Sequence, residues 1–168
     1  QAIEKLLYDF TSKIPEVRED NYWKRLQRLQ MYSQERRMER YRVLYVWKIL
    51  EGVVPNCGVE ICQENERLGR KCKVPKLARN GKRAIQTLRE QGFQVNGARL
   101  FNSLPKELRN MKGNQDDFKE ELDKFLCTIP DQPKMNHLVP EAICQTTARQ
   151  SNSLLAWTQL PTIGPSHL

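Results

Sequence analysis

The stretch SQERRMERYRVLYVWKILEG, residues 33–52, forms the densest part of the longest helical pattern in the chain, which starts at Tyr22. Ser33 is placed to cap a helix, Gln34 and Glu35 put helix formers in its first turn, and Gly52 stands where a C′ glycine ends one. At about 100° per residue, Arg36, Arg37, Arg40 and Lys48 fall within roughly a 120° arc. From Tyr41 to Leu50 the apolar residues run nearly all round, the pattern of a helix buried on several sides. The first half therefore reads as cationic and the second as core. Tyr41, Tyr45 and Trp47 fall in the apolar half and are assigned to the core rather than to base stacking. Taken alone, the helix fits two readings: a support for charge facing an anion, or a core helix with a solvated arginine start.

Upstream, residues 1–14 read as a short amphipathic helix with Ile3, Leu6, Leu7 and Phe10 on one side, stopped by Pro15. Asp20 or Asn21 then caps a helix over residues 22–30. Lys24, Arg25 and Arg28 share one face of it, opposite Tyr22, Leu26 and Leu29. Together the two helices hold eight basic residues against two acidic ones, Glu35 and Glu39.

Downstream the pattern changes. Pro55, Asn56 and Gly58 mark a turn. Residues 67–89 then hold nine basic residues (Arg67, Arg70, Lys71, Lys73, Lys76, Arg79, Lys82, Arg83 and Arg89) and no acid. Gly69, Pro75 and Gly81 interrupt this run. Short extended pieces are expected at 71–74, 85–89 and 93–95, joined by basic loops. A short helix follows at 96–104, and Ser103 with Pro105 restarts the chain into a brief turn at 106–110. The last helix is 115–127, with Phe118, Leu122, Phe125 and Leu126 as a one-sided stripe and Asp116 and Asp117 in its first turn. Beyond Pro130, recurring prolines and sparse charge predict a flexible, disordered tail over 130–168, with Leu154, Leu155 and Trp157 as a transient helix or docking motif.

At 168 residues the chain suffices for one domain with a core, here 1–129, plus an appendage. The net charge of +8 and isoelectric point near 9.4 favour anionic partners, nucleic acid first. Mean hydropathy is −0.71 and no apolar run approaches membrane-spanning length, so no membrane partner is expected. Residues 1–14 lack a signal-peptide pattern, and Cys57, Cys62, Cys72, Cys127 and Cys144 read as reduced thiols, so an intracellular, non-secreted protein is expected. The start without Met suggests a fragment or processed product. No nucleotide-binding, metalloprotease or triad pattern is present, and Asp116 and Asp117 point about 100° apart, as helix-start acids rather than metal ligands. A zinc site through Cys57, Cys62 and Cys72 is a lesser alternative.

Three blocks in order carry a resemblance. NYWKRLQRLQMYSQERRMERYRVLYVWKILEGVVPN (21–56), TLREQGFQVNGARLFNSLPKELRN (87–110) and FKEELDKFLCTIPDQP (118–133) are similar to the region after the polymerase palm in non-LTR retrotransposon reverse transcriptases of the jockey and CR1 type. SNSLL (151–155) is similar to the tail common in that family. The resemblance implies a thumb and its C-terminal extension, packed behind a palm and gripping a template–primer duplex. The palm's paired aspartates are not in this sequence. The implied protein is thus a non-catalytic piece of an RNA-directed DNA polymerase, with no cofactor of its own, magnesium belonging to the palm.

Holding a duplex of any sequence calls for cations aimed at phosphates. Lys24, Arg25, Arg28, Arg36, Arg37 and Arg40 are expected to form one phosphate-tracking ridge. The run from Arg67 through Arg70, Lys71, Lys73, Lys76, Arg79 and Lys82 to Arg83 is expected to form a second contact. The expected architecture is mainly helical: a small bundle with a minor strand pair in the middle third. Its core is expected to include Leu6, Phe10, Leu26, Leu29, Leu44, Val46, Trp47, Leu50, Leu100, Phe101, Leu104, Phe118, Leu122 and Phe125. A piece separated from its palm would keep an open apolar face and self-associate. A protein-interaction scaffold and a functionless remnant of a mobile element remain open as alternatives.

Overall fold

A computed structural model describes residues 2–61, 67, 69–77, 82–129, 131 and 154. The tail expected to be disordered falls outside these residues apart from Asp131 and Leu154, as do Cys62, Arg79 and Cys144. Leu154, from the expected docking segment, is helical and fully buried. The chain is mainly helical, as its periodicities imply. It divides into two compact units, Gln1–Arg36 with Pro130–Leu168, and Arg37–Ile129. One boundary follows Ile129, where the sequence pattern fades; another lies inside a helix.

The first unit holds α1 (Ala2–Ser12), α2 (Tyr22–Arg28) and the start of α3 (Gln34–Leu50). Asn21 caps α2 by accepting from the Lys24 amide at 3.0 Å. Tyr22 packs on Tyr8 with ring centroids 5.3 Å apart, and Val17, Tyr22 and Leu26 are buried. The start of α3 is capped three times. Ser33 Oγ accepts from the Arg36 amide, as its position predicts, and the Asp131 and Glu4 carboxylates accept from the Ser33 and Gln34 amides. Glu4 also accepts from the Tyr22 hydroxyl; burial, then this bond, pushes that phenol above its ordinary pKa.

The expected core of α1 is wrong. Ile3, Leu6 and Phe10 share a face, but they are 59, 68 and 60% exposed. The helix turns Tyr8 and Thr11 inward instead. Leu29, Leu50 and Phe125 are half-buried rather than core.

The second unit is built on the remainder of α3. Strands β1 (Glu60–Ile61) and β2 (Cys72–Lys73) pair antiparallel, with Glu60 opposite Lys73 and Ile61 opposite Cys72. Then come α4 (Arg83–Gln91), α5 (Phe93–Ser103), α6 (Lys106–Asn110) and α7 (Gln115–Cys127). The strand expected near 71–74 is β2. Those expected at 85–89 and 93–95 are helical. Ile85 and Leu88 are spaced three apart among good helix formers, and Phe93, Gly97, Leu100 and Leu104 continue one 3.6-residue stripe, with Gly92 separating the two helices.

At the centre, Trp47 is fully buried and stacks on Phe118, with centroids 4.9 Å apart and planes 11° from parallel. Its indole N–H donates to the Met111 carbonyl at 2.9 Å. Val43, Val46, Ala98, Leu100, Phe101, Leu122 and Leu126 complete this core. α5 approaches α3 closely at Gly97, where a Cβ would lie 3.0 Å from Val46 Cγ2.

Both α2 and α3 end in Schellman turns. Met31 N–H donates to Leu26 O with Gln30 at φ 52°, and Val53 N–H donates to Lys48 O with Gly52 at φ 71°. Glycine occupies only the second. Gly52→Ala should cost about 1 kcal/mol purely through backbone strain, because a Cβ there meets nothing within 4 Å. Gln30→Gly should leave stability unchanged or raise it by up to about 1 kcal/mol. Urea unfolding of the two variants measures both.

Candidate nucleic-acid interface

Arginine carries most of the chain's cationic chemistry, and its fork of donors suits carbonyls as well as phosphates. The structure divides the expected contacts accordingly. In the first unit, Arg25 is buried with its guanidinium 4.7 Å over the Tyr8 ring and 5.7 Å from Tyr22, a cation–π arrangement. Arg36 is 1% exposed. Arg28 is exposed but paired to Asp20 at 2.6 Å. Lys24 alone of this group is exposed without an ion pair. The continuous ridge expected from Lys24 to Arg40 is therefore corrected: burial and internal acids remove most of its members.

In the second unit Arg40 grips Asp123 with two parallel bonds of 2.5 and 2.6 Å, tying α3 to α7. Arg70 is 4% exposed. Its Nη1 donates to Glu51 Oε1 at 2.8 Å and to the Met111 carbonyl at 3.2 Å. Glu51 Oε2 also accepts from the Gly113 amide at 3.0 Å. Arg109, buried in turn, donates to the carbonyls of Leu104 and Arg70. Asn110 accepts from the Arg70 amide, and Asn102 holds Cys72 through both N–H and C=O at 2.8 Å. The start of the basic run is thus strapped to α5 and α6 by side chains that satisfy its backbone, as irregular buried chain requires.

What stays open is narrower. Lys73 pairs with Glu60 on the surface. Arg67 is exposed. Lys76, Lys82 and Arg83 are exposed and Lys71 half-buried, none of them in an ion pair.

The outward face of α3 departs from its expected place in the core. Trp47 is core, but Tyr41 and Tyr45 are 56 and 43% exposed, with Met38 beside them. Arg37, Arg42 and Lys48 are half-buried there and engage no acid. Phe93 braces Tyr45 edge-on at 5.3 Å. The helical wheel carries a usable signal for this face: Arg37, Met38, Tyr41, Tyr45 and Lys48 span about 100° with no aliphatic residue among them.

Among the described residues no group of three or more His, Cys, Asp or Glu side chains converges as for a metal ion, and no helix is long and apolar enough to cross a membrane. Asp116 pairs with Lys119, and Asp117 accepts from Asn114, within the first turn of α7. Comparison of the chain with protein-family models, curated proteins and solved structures finds no match.

Partial burial raises the Glu51 pKa, but the Gly113 amide and the Arg70 guanidinium outweigh it and hold the carboxyl below its ordinary value. A depressed folded-state pKa stabilises the protein above the unfolded value, about 4.3, and this stabilisation is lost as pH falls through the folded value. Glu51→Gln should therefore flatten the acid limb of the stability–pH curve. Arg70→Met should cost roughly 1–3 kcal/mol near neutrality, because it removes the bonds to Glu51 and to the Met111 carbonyl and leaves Glu51 the Gly113 amide. Chemical denaturation across pH 3–7 reads both.

Proposed function

We propose that this chain is a non-catalytic nucleic-acid-holding module that grips the phosphate backbone of a template–primer duplex. The carrying observation is the excess of cations that no acid neutralises in the second unit: Arg37, Arg42, Lys48, Lys71, Lys76, Lys82 and Arg83. Such charges repel one another unless an anion accompanies them. Backbone contact asks only for cations on a firm support, and the buried arginines supply the support. The three ordered blocks that resemble the post-palm region of non-LTR retrotransposon reverse transcriptases favour a piece of an RNA-directed DNA polymerase. In that reading catalysis and its magnesium ions reside in a palm encoded upstream.

A second observation bears on a protein partner. The exposed stripe Ile3, Leu6 and Phe10 on α1 is more apolar surface than one helix of a small unit ordinarily shows. It supports the reading that another protein surface, such as the palm, covers α1. The isolated chain should then self-associate with rising concentration, and Leu6→Glu combined with Phe10→Glu should restore a monomer in sedimentation velocity. Monomer at all concentrations in the unaltered chain removes this reading.

Binding to an RNA–DNA hybrid should weaken linearly on a log–log salt plot. Replacing Lys71, Lys76, Lys82 and Arg83 by Gln should flatten the slope by about 0.7–0.9 for each phosphate that is no longer neutralised. A salt-independent interaction, or none at low salt, rejects the proposal.

A further inference from the structure

The exposed face of α3 has a composition that phosphate binding alone does not call for. A surface meant only for backbone charge needs lysines and arginines. Here two tyrosines and a methionine occupy the middle of the face, Tyr41 at 56%, Tyr45 at 43% and Met38 at 43% exposure. Cations border them: Arg37 and Lys48 on one side and Arg42 on the other, none engaged by an acid. The helix's two acids lie off this arc; Glu39 is buried. Tyr41 and Tyr45 are one turn apart, about 5–6 Å between Cβ atoms. Tyr45 is fixed by the edge of Phe93, with the planes 82° apart.

We infer that the Tyr41–Tyr45 face of α3 is a stacking platform for two successive unpaired bases of a single-stranded nucleic-acid segment, whose phosphates meet Arg37, Arg42 and Lys48. Base faces stack on aromatic rings whatever the sequence, and flanking cations track the backbone. Duplex bases cannot reach the rings without leaving their own stack, so the platform selects a strand end, overhang or unpaired stretch. Charge complementarity decides the occupant: an uncovered apolar face that served a second copy of this chain would bring the three uncompensated cations against three more. The inference deepens the backbone-binding proposal and rests on it.

The test uses the full chain with three ligands of equal length: a single-stranded oligothymidine, the same backbone made abasic, and an RNA–DNA hybrid. Tyr41→Ala and Tyr45→Ala should each weaken the oligothymidine about tenfold. Neither should alter abasic or hybrid binding or the salt slope, and Tyr41→Phe and Tyr45→Phe should bind as the parent does. Both tyrosines are exposed, so the alanine variants are expected to fold, and unchanged hybrid binding verifies it. Equal oligothymidine affinity in the alanine variants overturns the platform while leaving backbone binding intact. Equal loss on the abasic strand does the same, as does tyrosine-dependent self-association that oligothymidine fails to reverse. Absence of binding to all three ligands overturns the backbone reading and the platform with it.

Discussion

Trp47 fixes the second unit. One face of its ring lies on Phe118, so α7 is held against α3. Its N–H takes the carbonyl of Met111, in the segment between α6 and α7. An indole is large enough to define a small core by itself and polar enough to demand one specific acceptor. Met111 is also where Arg70 arrives, and Arg70 brings Glu51, Gly113 and the buried Arg109 with it. A single aromatic anchor thus connects the apolar core to a network that satisfies the turns.

That network explains how so basic a chain folds. The arginines fall into two groups. One group is internal: Arg25 on tyrosine rings, Arg40 on Asp123, Arg70 and Arg109 on carbonyls. Planar, weakly hydrated guanidinium tolerates such places where an ammonium would not. The other group, Arg37, Arg42 and Arg83 with Lys48, Lys71, Lys76 and Lys82, engages no acid. Internal cations cost desolvation, which hydrogen bonds offset at Arg40, Arg70 and Arg109 and the tyrosine rings offset in part at Arg25, whose Nε has no hydrogen-bond partner. The positive surface is consequently carried on a frame that the same residue type stiffens.

Local signals in the sequence are legible wherever local physics decides. The helix at 115–127, the Ser33 cap, the Gly52 stop and the strand near 71–74 all follow from caps, turn residues and periodicity. The strands expected at 85–89 and 93–95 rest on interrupting glycines, although the i, i+3 spacing of Ile85 and Leu88 favours a helix. What periodicity cannot say is which face is covered. Ile3, Leu6 and Phe10 align as a core stripe should, yet lie exposed; Tyr41 and Tyr45 fit the core pattern, yet face outward. The arginines are the least legible. Whether Arg40 meets Asp123 or a phosphate depends on an acid 83 residues away, and no local pattern reports that.

Labour is divided between arginines that build the frame and cations left for an anion. Arginine-specific chemical modification of the native chain, mapped residue by residue with and without an RNA–DNA hybrid, tests it most directly. Arg25, Arg36, Arg70 and Arg109 should resist modification until the protein unfolds, whereas Arg37, Arg42 and Arg83 should react and be shielded by the hybrid. Uniform reactivity of all seven, or shielding that ignores the second group, would contradict this division.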